Sequence, residues 1–254
     1  MPSPSDVAVH SDWFKAWFNH PAYLKLYAHR SLEEAEQTIA TLLKFITIPN
    51  PHPKALDIAC GSGRHAVALA ENGFHVTAND LSKTLLAQAQ KLAEEKKLTI
   101  TFTHTDMREI DFENEFDLIV QLFTSFGYFE NDDEDEVVLN NVARALKPGG
   151  WYVLDFLNAS LVRKTLQPET RRSVDGFEVL EQRVILGERV VKSITLHEGG
   201  KTHRFMEAVR LYSMEDLTAM LAAVGLHVRC LLGNYQGEAF LPDTSPRLIF
   251  IAQK

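Results

Sequence analysis

The residue types best suited to chemistry stand together in one stretch, Ala55-Leu56-Asp57-Ile58-Ala59-Cys60-Gly61-Ser62-Gly63-Arg64-His65. Its apolar beginning is typical of a buried parallel strand. Gly61 and Gly63 allow the backbone to turn tightly and to approach a ligand closely. A helix is predicted to begin at Arg64, and the first turn of a helix presents unpaired N–H groups. This strand–turn–helix therefore predicts a site for a small molecule.

Two cofactors are compatible with this turn. Gly61-Ser62-Gly63-Arg64-His65-Ala66 matches the dinucleotide fingerprint G-x-G-x-x-G/A, and Asp80 stands about where the acid that binds the ribose is expected. Asp57, inside the strand, indicates a different site, because a carboxylate there can accept hydrogen bonds from loop N–H groups and fix the turn. A glycine turn that binds nothing is the third possibility.

Polar residues also follow the next two strands. Strand and helix patterns alternate over residues 55–156, which predicts a doubly wound, mostly parallel α/β sheet that binds its ligand beyond the carboxyl ends of its strands. Asp80 ends the second strand, where it can accept both ribose hydroxyls or cap a helix. We favour the ribose, and expect Asp80→Ala to weaken cofactor binding with little loss of stability. Asp106 can accept from an adenine amino group while Met107 packs on the ring, or it can simply form a turn.

The segments around this sheet have a different character. Three β-type runs, 177–185, 190–197 and 204–212, are separated by short glycine-containing turns, which predicts an inserted antiparallel β lobe. Residues 11–30 are rich in aromatic side chains and could cover the mouth of a site. We therefore predict an N-terminal helical lid (1–50), an α/β domain (51–160 and 213–254) and the β lobe (161–212).

The composition narrows the class of partner. The chain has 254 residues and a formal net charge of −8, which argues against a broad electrostatic contact with nucleic acid. Two cysteines provide neither a disulfide framework nor metal-ligand spacing, and we predict no metal. The first residues lack the features of a signal peptide, and no apolar run reaches the length of a membrane span. We expect a cytoplasmic protein that acts on a small molecule, without nucleic-acid or membrane partners and with no preference indicated for its oligomeric state.

Three motifs carry a resemblance to a known family. The stretch from Leu56 to His65 resembles motif I of class I S-adenosylmethionine-dependent methyltransferases, with Ala59 where that family often has its first glycine. Phe116-Asp117-Leu118-Ile119-Val120 and Leu146-Lys147-Pro148-Gly149-Gly150-Trp151 look like its later motifs, and dehydrogenases have no counterpart to the second. The resemblance implies a seven-stranded Rossmann-like sheet of order 3-2-1-4-5-7-6 with its last strand antiparallel.

The same resemblance implies S-adenosylmethionine as cofactor and S-adenosylhomocysteine as product. The family's binding roles transfer to matching positions, and we add the residues that flank them and an N-terminal pair that could hold the cofactor carboxylate. The predicted cofactor-binding residues are Tyr27, Arg30, Ala59, Cys60, Gly61, Gly63, Asp80, Leu81, Asp106, Met107, Gln121 and Leu122. Arg64 is the competing cation for the carboxylate.

A narrower resemblance concerns the methyl acceptor. Leu122-Phe123-Thr124-Ser125-Phe126-Gly127-Tyr128-Phe129, the β lobe and the N-terminal segment are similar to small-molecule N-methyltransferases. The Asn/Asp-Pro-Pro-Tyr/Phe pattern of nucleic-acid and protein amino-methylating enzymes does not follow the fourth strand, so base or glutamine-amide methylation is not expected.

The expected reaction is in-line transfer of the activated methyl group to N or O of a small molecule, for which alignment supplies most of the catalysis. An amine acceptor must be unprotonated, so a nearby hydrogen-bond acceptor would help. Tyr128, Glu238 and His20 are the candidates for that catalytic role. The alternatives are an NAD-type oxidoreductase and a module that binds S-adenosylmethionine without turnover.

Overall fold

A computed structural model describes residues 11–254, so the first ten residues of the predicted lid lie outside the described part. The helices are α1 (Trp13–Phe18), α2 (Ala22–Leu26), α3 (Leu32–Leu43), α4 (Arg64–Glu71), α5 (Lys83–Glu95), α6 (Asp132–Ala145), α7 (Ala159–Thr165) and α8 (Met214–Ala223). The strands are β1 (Lys54–Ile58), β2 (His75–Asn79), β3 (Ile100–Thr103), β4 (Phe116–Gln121), β5 (Leu146–Leu157), β6 (Glu169–Val174), β7 (Phe177–Leu186), β8 (Arg189–Glu198), β9 (Lys201–Arg210), β10 (His227–Leu232) and β11 (Arg247–Gln253).

The large sheet has the order β3-β2-β1-β4-β5-β11-β10. Strands β1 to β5 pair in parallel, whereas β11 runs antiparallel to both β5 and β10. This arrangement confirms the predicted order 3-2-1-4-5-7-6, because the four strands of the lobe separate β5 from β10 in the chain. The central strand β1 is buried apart from its first residue, as expected for a parallel strand covered on both faces.

Side-chain caps define where two of the flanking helices begin. The Ser31 hydroxyl accepts the Glu34 N–H at 3.1 Å at the start of α3, and the Ser82 hydroxyl accepts the Leu85 N–H at 3.2 Å at the start of α5. The N-terminus of α5 therefore comes directly after Asp80, at the carboxyl end of β2. This cap places the beginning of α5 beside the glycine turn.

The β lobe is a separate antiparallel sheet of order β6-β7-β8-β9. It confirms the predicted lobe and adds β6, a strand that the sequence analysis did not identify. The residues of β6, Glu-Thr-Arg-Arg-Ser-Val, are mostly polar and lie at the sheet edge, where charged side chains are common. An edge strand of this kind lacks the apolar alternation by which its neighbours were recognised.

The N-terminal helices pack against both sheets. Trp17 is fully buried, with its ring centroid 4.6 Å from that of Phe205 on β9. On the opposite side, the Ser82 hydroxyl donates to the carbonyl of Phe18 at 2.7 Å. The short helices α1 and α2 thus connect the lobe to the carboxyl ends of the large sheet. Over residues 11–254, no helix combines the length and apolar character needed to cross a membrane.

Candidate cofactor site

A cavity of about 580 Å³ lies at the carboxyl ends of the parallel strands, within the size range of small-molecule sites. Its walls come from the glycine turn, the ends of β2 and β4, and the N-terminal helices. The predicted site residues that line it are Tyr27, Arg30, Ala59, Cys60, Gly61, Asp80, Leu81, Asp106, Met107, Leu122 and Tyr128. The topology therefore gathers residues that are spread over a hundred positions of sequence.

The glycine turn combines backbone strain with close packing. Ala59 has a φ of 55°, Gly61 one of 57° and Gly63 one of 81°, all in the left-handed region. A Cβ atom on Gly63 would lie 2.7 Å from the Cβ of Ala89 on α5. Gly63 does not line the cavity but lets α4 begin against α5, so its contribution to the site is to place the turn. Ala59 holds the strained conformation without being glycine, which is consistent with a site that requires this backbone shape.

Asp80 holds the two backbone segments that border the cavity. Its Oδ2 accepts the Gly61 N–H at 2.8 Å, and its Oδ1 accepts the Ser82 N–H at 2.7 Å. The carboxylate thus fixes both the turn and the beginning of α5. Burial raises the pKa of Asp80, while these two N–H groups act in the opposite direction. Each carboxylate oxygen has a further lone pair that can accept a ribose hydroxyl.

Asp57 and His65 carry buried atoms without partners. Both residues line the cavity, and neither Asp57 Oδ2 nor His65 Nε2 has a hydrogen-bond partner within residues 11–254. Burial, with Asp80 nearby, raises the pKa of Asp57 to about 8, and burial beside Arg64 and Arg30 lowers that of His65 to about 3. Buried polar groups are normally satisfied, so these two atoms indicate where a ligand binds.

Two arginines meet at one end of the cavity. The guanidinium carbons of Arg30 and Arg64 lie 5.0 Å and 5.3 Å from the centroid of the Phe123 ring. Arg64 is 3.8 Å from a carboxylate oxygen of Glu34, whereas Arg30 forms no ion pair within the described residues. A carboxylate group on a ligand would balance this local positive charge.

The Phe123 ring depends on a network that the sequence analysis missed. Phe123 and Thr124 have φ values of 57° and 60°, two consecutive strained residues. Asp155, fully buried on β5, accepts the Phe123 N–H at 2.8 Å and the Tyr235 hydroxyl at 2.7 Å, and pairs with Arg247 at 2.7 Å. The available signal was a carboxylate within the otherwise apolar run of β5.

The Asp106 carboxylate is held by an ion pair beside the cavity. Asp106 accepts the side chain of Arg108 at 2.7 Å, and Arg108 also contacts Glu134 at 2.5 Å. Burial acts to raise the pKa of Asp106, but Arg108 keeps it below the usual range. An ionised carboxylate beside Met107 is suited to accept an adenine amino group, and its orientation depends on Arg108.

Besides Gly63, three other predicted residues do not line the cavity. Gln121 is buried below it, accepting the Tyr152 hydroxyl at 2.7 Å. Glu238 accepts the Asn234 amide at 2.7 Å in a surface turn, and His20 accepts the Ala22 N–H at 3.2 Å. The structure thus gives these side chains local structural contacts and does not bring Glu238 or His20 into the lining of the cavity.

Tyr128 is the catalytic candidate that does line the cavity. Its ring is enclosed by Trp13, at 5.0 Å between centroids, and by other aromatic side chains. Burial raises the pKa of Tyr128 well above that of an ordinary tyrosine. The phenol therefore remains protonated at neutral pH and can act as a hydrogen-bonding group but not as a phenolate base.

Comparison with known proteins agrees with this site. Residues 55–150 match the family model described as a methyltransferase domain. The cypemycin N-terminal methyltransferase of a Streptomyces species is 26% identical, over 78% of this chain and 82% of the relative. The dTDP-3-amino-3,4,6-trideoxy-alpha-D-glucopyranose N,N-dimethyltransferase of Streptomyces venezuelae is 26% identical, over 72% and 79%.

Comparison with solved structures finds the same fold in a known methyltransferase. A crystal structure of an S-adenosylmethionine-dependent methyltransferase from Clostridium acetobutylicum has a TM-score of 0.77 at 20% identity, covering 91% of this chain and 96% of that one. The chain is an S-adenosylmethionine-dependent methyltransferase, since residues 55–150 match a methyltransferase domain, its relatives are named as methyltransferases, and its strand order is the one predicted for this fold. The alternative of an NAD-type oxidoreductase is thereby set aside.

Proposed function

We propose that this methyltransferase transfers the methyl group of S-adenosylmethionine to an amine nitrogen of a small molecule. The observation that carries the cofactor assignment is a pair of ionisable groups without partners in one cavity. Asp57 presents a buried oxygen without a partner, and Arg30 presents a guanidinium without an ion pair within residues 11–254. The amino-acid end of the cofactor carries an ammonium and a carboxylate, which are complementary to this pair.

The remaining cofactor contacts follow from the cavity. We assign the ribose hydroxyls to Asp80, the adenine amino group to Asp106 and the face of the adenine ring to Met107. The walls around the nucleoside and the sulfonium come from residues of the turn and of the ends of β2 and β4: Ala59, Cys60, Gly61, Leu81 and Leu122. Tyr27 supports Arg30 instead of binding the carboxylate, because its hydroxyl donates to Glu207 at 3.0 Å.

The chemistry of the acceptor is supported by the relatives and by the cavity. The two Streptomyces relatives are named as an N-terminal methyltransferase and an N,N-dimethyltransferase. Aromatic rings of Phe14, Phe18, Tyr23 and Tyr128 line the cavity, and π faces stabilise a nearby sulfonium cation. Such walls exclude water and align an unprotonated amine with the methyl group, which is the main requirement of in-line transfer.

The class of partner, the cellular location and the domain organisation are also proposals. We infer a small-molecule acceptor and no nucleic-acid partner from the net charge of −8, and a cytoplasmic location from the sequence. The division into a lid (1–50), a cofactor domain (51–160 and 213–254) and a β lobe (161–212) is the organisation in which we expect these parts to act.

Calorimetric titration with S-adenosylmethionine, S-adenosylhomocysteine and NAD tests the cofactor. We expect the first two to bind and NAD to have no effect, and tight binding of NAD alone would contradict the proposal. Transfer of labelled methyl groups to a panel of amines and their matched alcohols tests the acceptor. Labelling of alcohols but not of amines would overturn the nitrogen assignment, and cofactor binding without any labelling would favour a module that binds without turnover.

A further inference from the structure

A half-buried ion pair of the β lobe lies directly beneath the N-terminal helices. Lys192 on β8 is opposite Glu207 on β9, and Nζ lies 2.6 Å from Oε2. The two side chains are 17% and 21% exposed, although they belong to a sheet with much more accessible positions. A partly buried pair of this kind provides little net stability compared with apolar side chains, because desolvation offsets the attraction. Stability alone therefore does not account for charged residues at this position.

The other hydrogen bonds of this pair are directed at the N-terminal segment. Oε1 of Glu207 accepts the indole N–H of Trp17 at 2.8 Å and the hydroxyl of Tyr27 at 3.0 Å. Lys192 donates to the same Tyr27 hydroxyl at 3.0 Å. One carboxylate thus holds α1 and the residue that follows α2. The Tyr27 hydroxyl both donates and accepts, so its orientation is determined by the lobe.

Tyr27 in turn supports the cavity arginine. The guanidinium carbon of Arg30 lies 4.2 Å from the centroid of the Tyr27 ring, and the Arg30 backbone N–H donates to the Tyr27 carbonyl at 3.1 Å. The nearest polar side-chain contact of Arg30 is the Tyr23 hydroxyl, at the long distance of 3.5 Å. Arg30 is therefore positioned mainly by the ring and backbone of Tyr27.

We propose that Glu207 is a positioning residue for cofactor binding, which fixes Arg30 in the cavity through Tyr27. This role rests on the proposed function, because Arg30 is taken to bind the carboxylate of S-adenosylmethionine. Glu207 itself does not line the cavity, whereas Arg30 does. The β lobe accordingly takes part in binding the amino-acid end of the cofactor from outside the site.

The lobe offers a matched control. Glu181 on β7 is also a buried carboxylate, 5% exposed, and it accepts from Arg172 at 3.2 Å and from Thr170 at 3.0 Å. Its hydrogen-bond partners are all residues of the lobe. Glu181→Gln therefore removes a comparable buried carboxylate, which like Glu207 attracts Lys192, without removing a hydrogen bond to Trp17 or Tyr27.

The experiment compares wild type, Glu207→Gln and Glu181→Gln in calorimetric titrations with two ligands. S-adenosylhomocysteine carries the carboxylate, and 5′-methylthioadenosine lacks the amino-acid end. We expect Glu207→Gln to weaken binding of S-adenosylhomocysteine by about tenfold, since a charge-assisted contact is misplaced, and to leave 5′-methylthioadenosine unaffected. Glu181→Gln is expected to match wild type with both ligands. Unchanged affinity of Glu207→Gln, or an equal loss for both ligands, would overturn the role of Glu207.

A second variant keeps the role testable if Glu207→Gln does not fold. Tyr27→Phe retains the ring beneath Arg30 and removes only the hydroxyl that Glu207 holds, so it should show the same ligand selectivity to a smaller extent. Hydrogen exchange supplies an independent readout: residues 13–27 should lose protection in either variant but not in Glu181→Gln. Retained protection and affinity in Tyr27→Phe would also contradict the role. Wild-type protein that bound neither ligand would overturn the proposed function as well, whereas binding unaffected by both variants would overturn only the role of Glu207.

Discussion

The two walls of the cavity are built by different means. The glycine turn is fixed by contacts between neighbouring strands, such as the bond from Gly61 to Asp80, nineteen positions apart. The opposite wall, formed by residues 14–30, is held by Ser82 on one side and on the other by Glu207, which lies 190 positions from Trp17 and 180 from Tyr27. The first wall is part of the large sheet, whereas the second also depends on how a separate sheet packs against it.

This difference concerns stability as well as geometry. Helices α1 and α2 have six and five residues, too few to be stable in isolation, so tertiary contacts hold them in place. The glycine turn instead joins β1, which is buried apart from its first residue, to α4. We therefore expect the N-terminal wall to open locally at lower free energy than the turn, and changes to the two walls should have distinguishable effects.

The largest effect is expected in the turn. Gly63→Ala adds a Cβ atom 2.7 Å from that of Ala89 at a φ of 81°, so both overpacking and the left-handed conformation destabilise the variant. We expect the free energy of unfolding to fall by about 2–4 kcal/mol, measured in urea. Gly61→Ala is the control: φ is 57° there, but no atom lies within 4 Å, so its loss should be smaller. Equal losses would show that packing against α5 does not matter.

Asp80→Ala is expected to affect both folding and binding. Loss of the carboxylate leaves the Gly61 and Ser82 N–H groups without their acceptor, so we expect about 1–3 kcal/mol less stability. This revises the expectation of little loss that the sequence suggested. Binding of 5′-methylthioadenosine should weaken by about 1.5–3 kcal/mol for each charged bond lost. Asp80→Asn keeps one oxygen, so its stability and affinity should lie between those of wild type and Asp80→Ala. Unchanged affinity in Asp80→Ala would remove Asp80 from the ribose site.

Substitution of the two arginines compares the walls directly. Arg64 begins α4 directly after the glycine turn, and Arg30 follows α2 in the N-terminal wall. Arg30→Ala should weaken S-adenosylhomocysteine binding by about 1.5–3 kcal/mol. Arg64→Ala should weaken this binding less, because Arg64 also pairs with Glu34 and donates to the Ser31 carbonyl at 3.0 Å. Neither change should alter binding of 5′-methylthioadenosine. If Arg30→Ala leaves calorimetric affinity intact while Arg64→Ala reduces it, the carboxylate belongs to Arg64.

The smallest expected effect is a pH dependence of ligand binding that arises from Asp57, beside the glycine turn. With a pKa of about 8, Asp57 keeps its proton in the empty protein below that pH. A bound ammonium favours the carboxylate, so binding releases a proton, and affinity for S-adenosylhomocysteine should rise with pH by at most about tenfold per unit and level off above pH 8. Asp57→Asn should abolish the slope, and 5′-methylthioadenosine, without the ammonium, should show none. A flat wild-type profile would contradict the assignment of Asp57.

Much of the turn wall could be predicted because its signals are local. Glycines at fixed spacing, an acid within an apolar strand and acids at strand ends are consequences of backbone geometry over a few residues. Those signals located Gly61, Asp80 and Asp106, and together with the later motifs they led to the correct fold and cofactor. They could not show that Asp80 also holds the turn, because that bond crosses from one strand to the next.

The sequence by itself determined the parallel sheet, its strand order through the family resemblance, and the residue types that we assign to the nucleoside end of the cofactor. Only the tertiary structure decided which aromatic and charged residues of the N-terminal segment face the cavity. That choice depends on Glu207 in the lobe and on Asp155 behind Phe123, and no local pattern connects these carboxylates to the segments that they hold. Glu238 and His20 were plausible by residue type, but the packing of the loops places them in other local contacts. Backbone preferences act between neighbours, whereas the orientation of a buried side chain depends on everything packed around it.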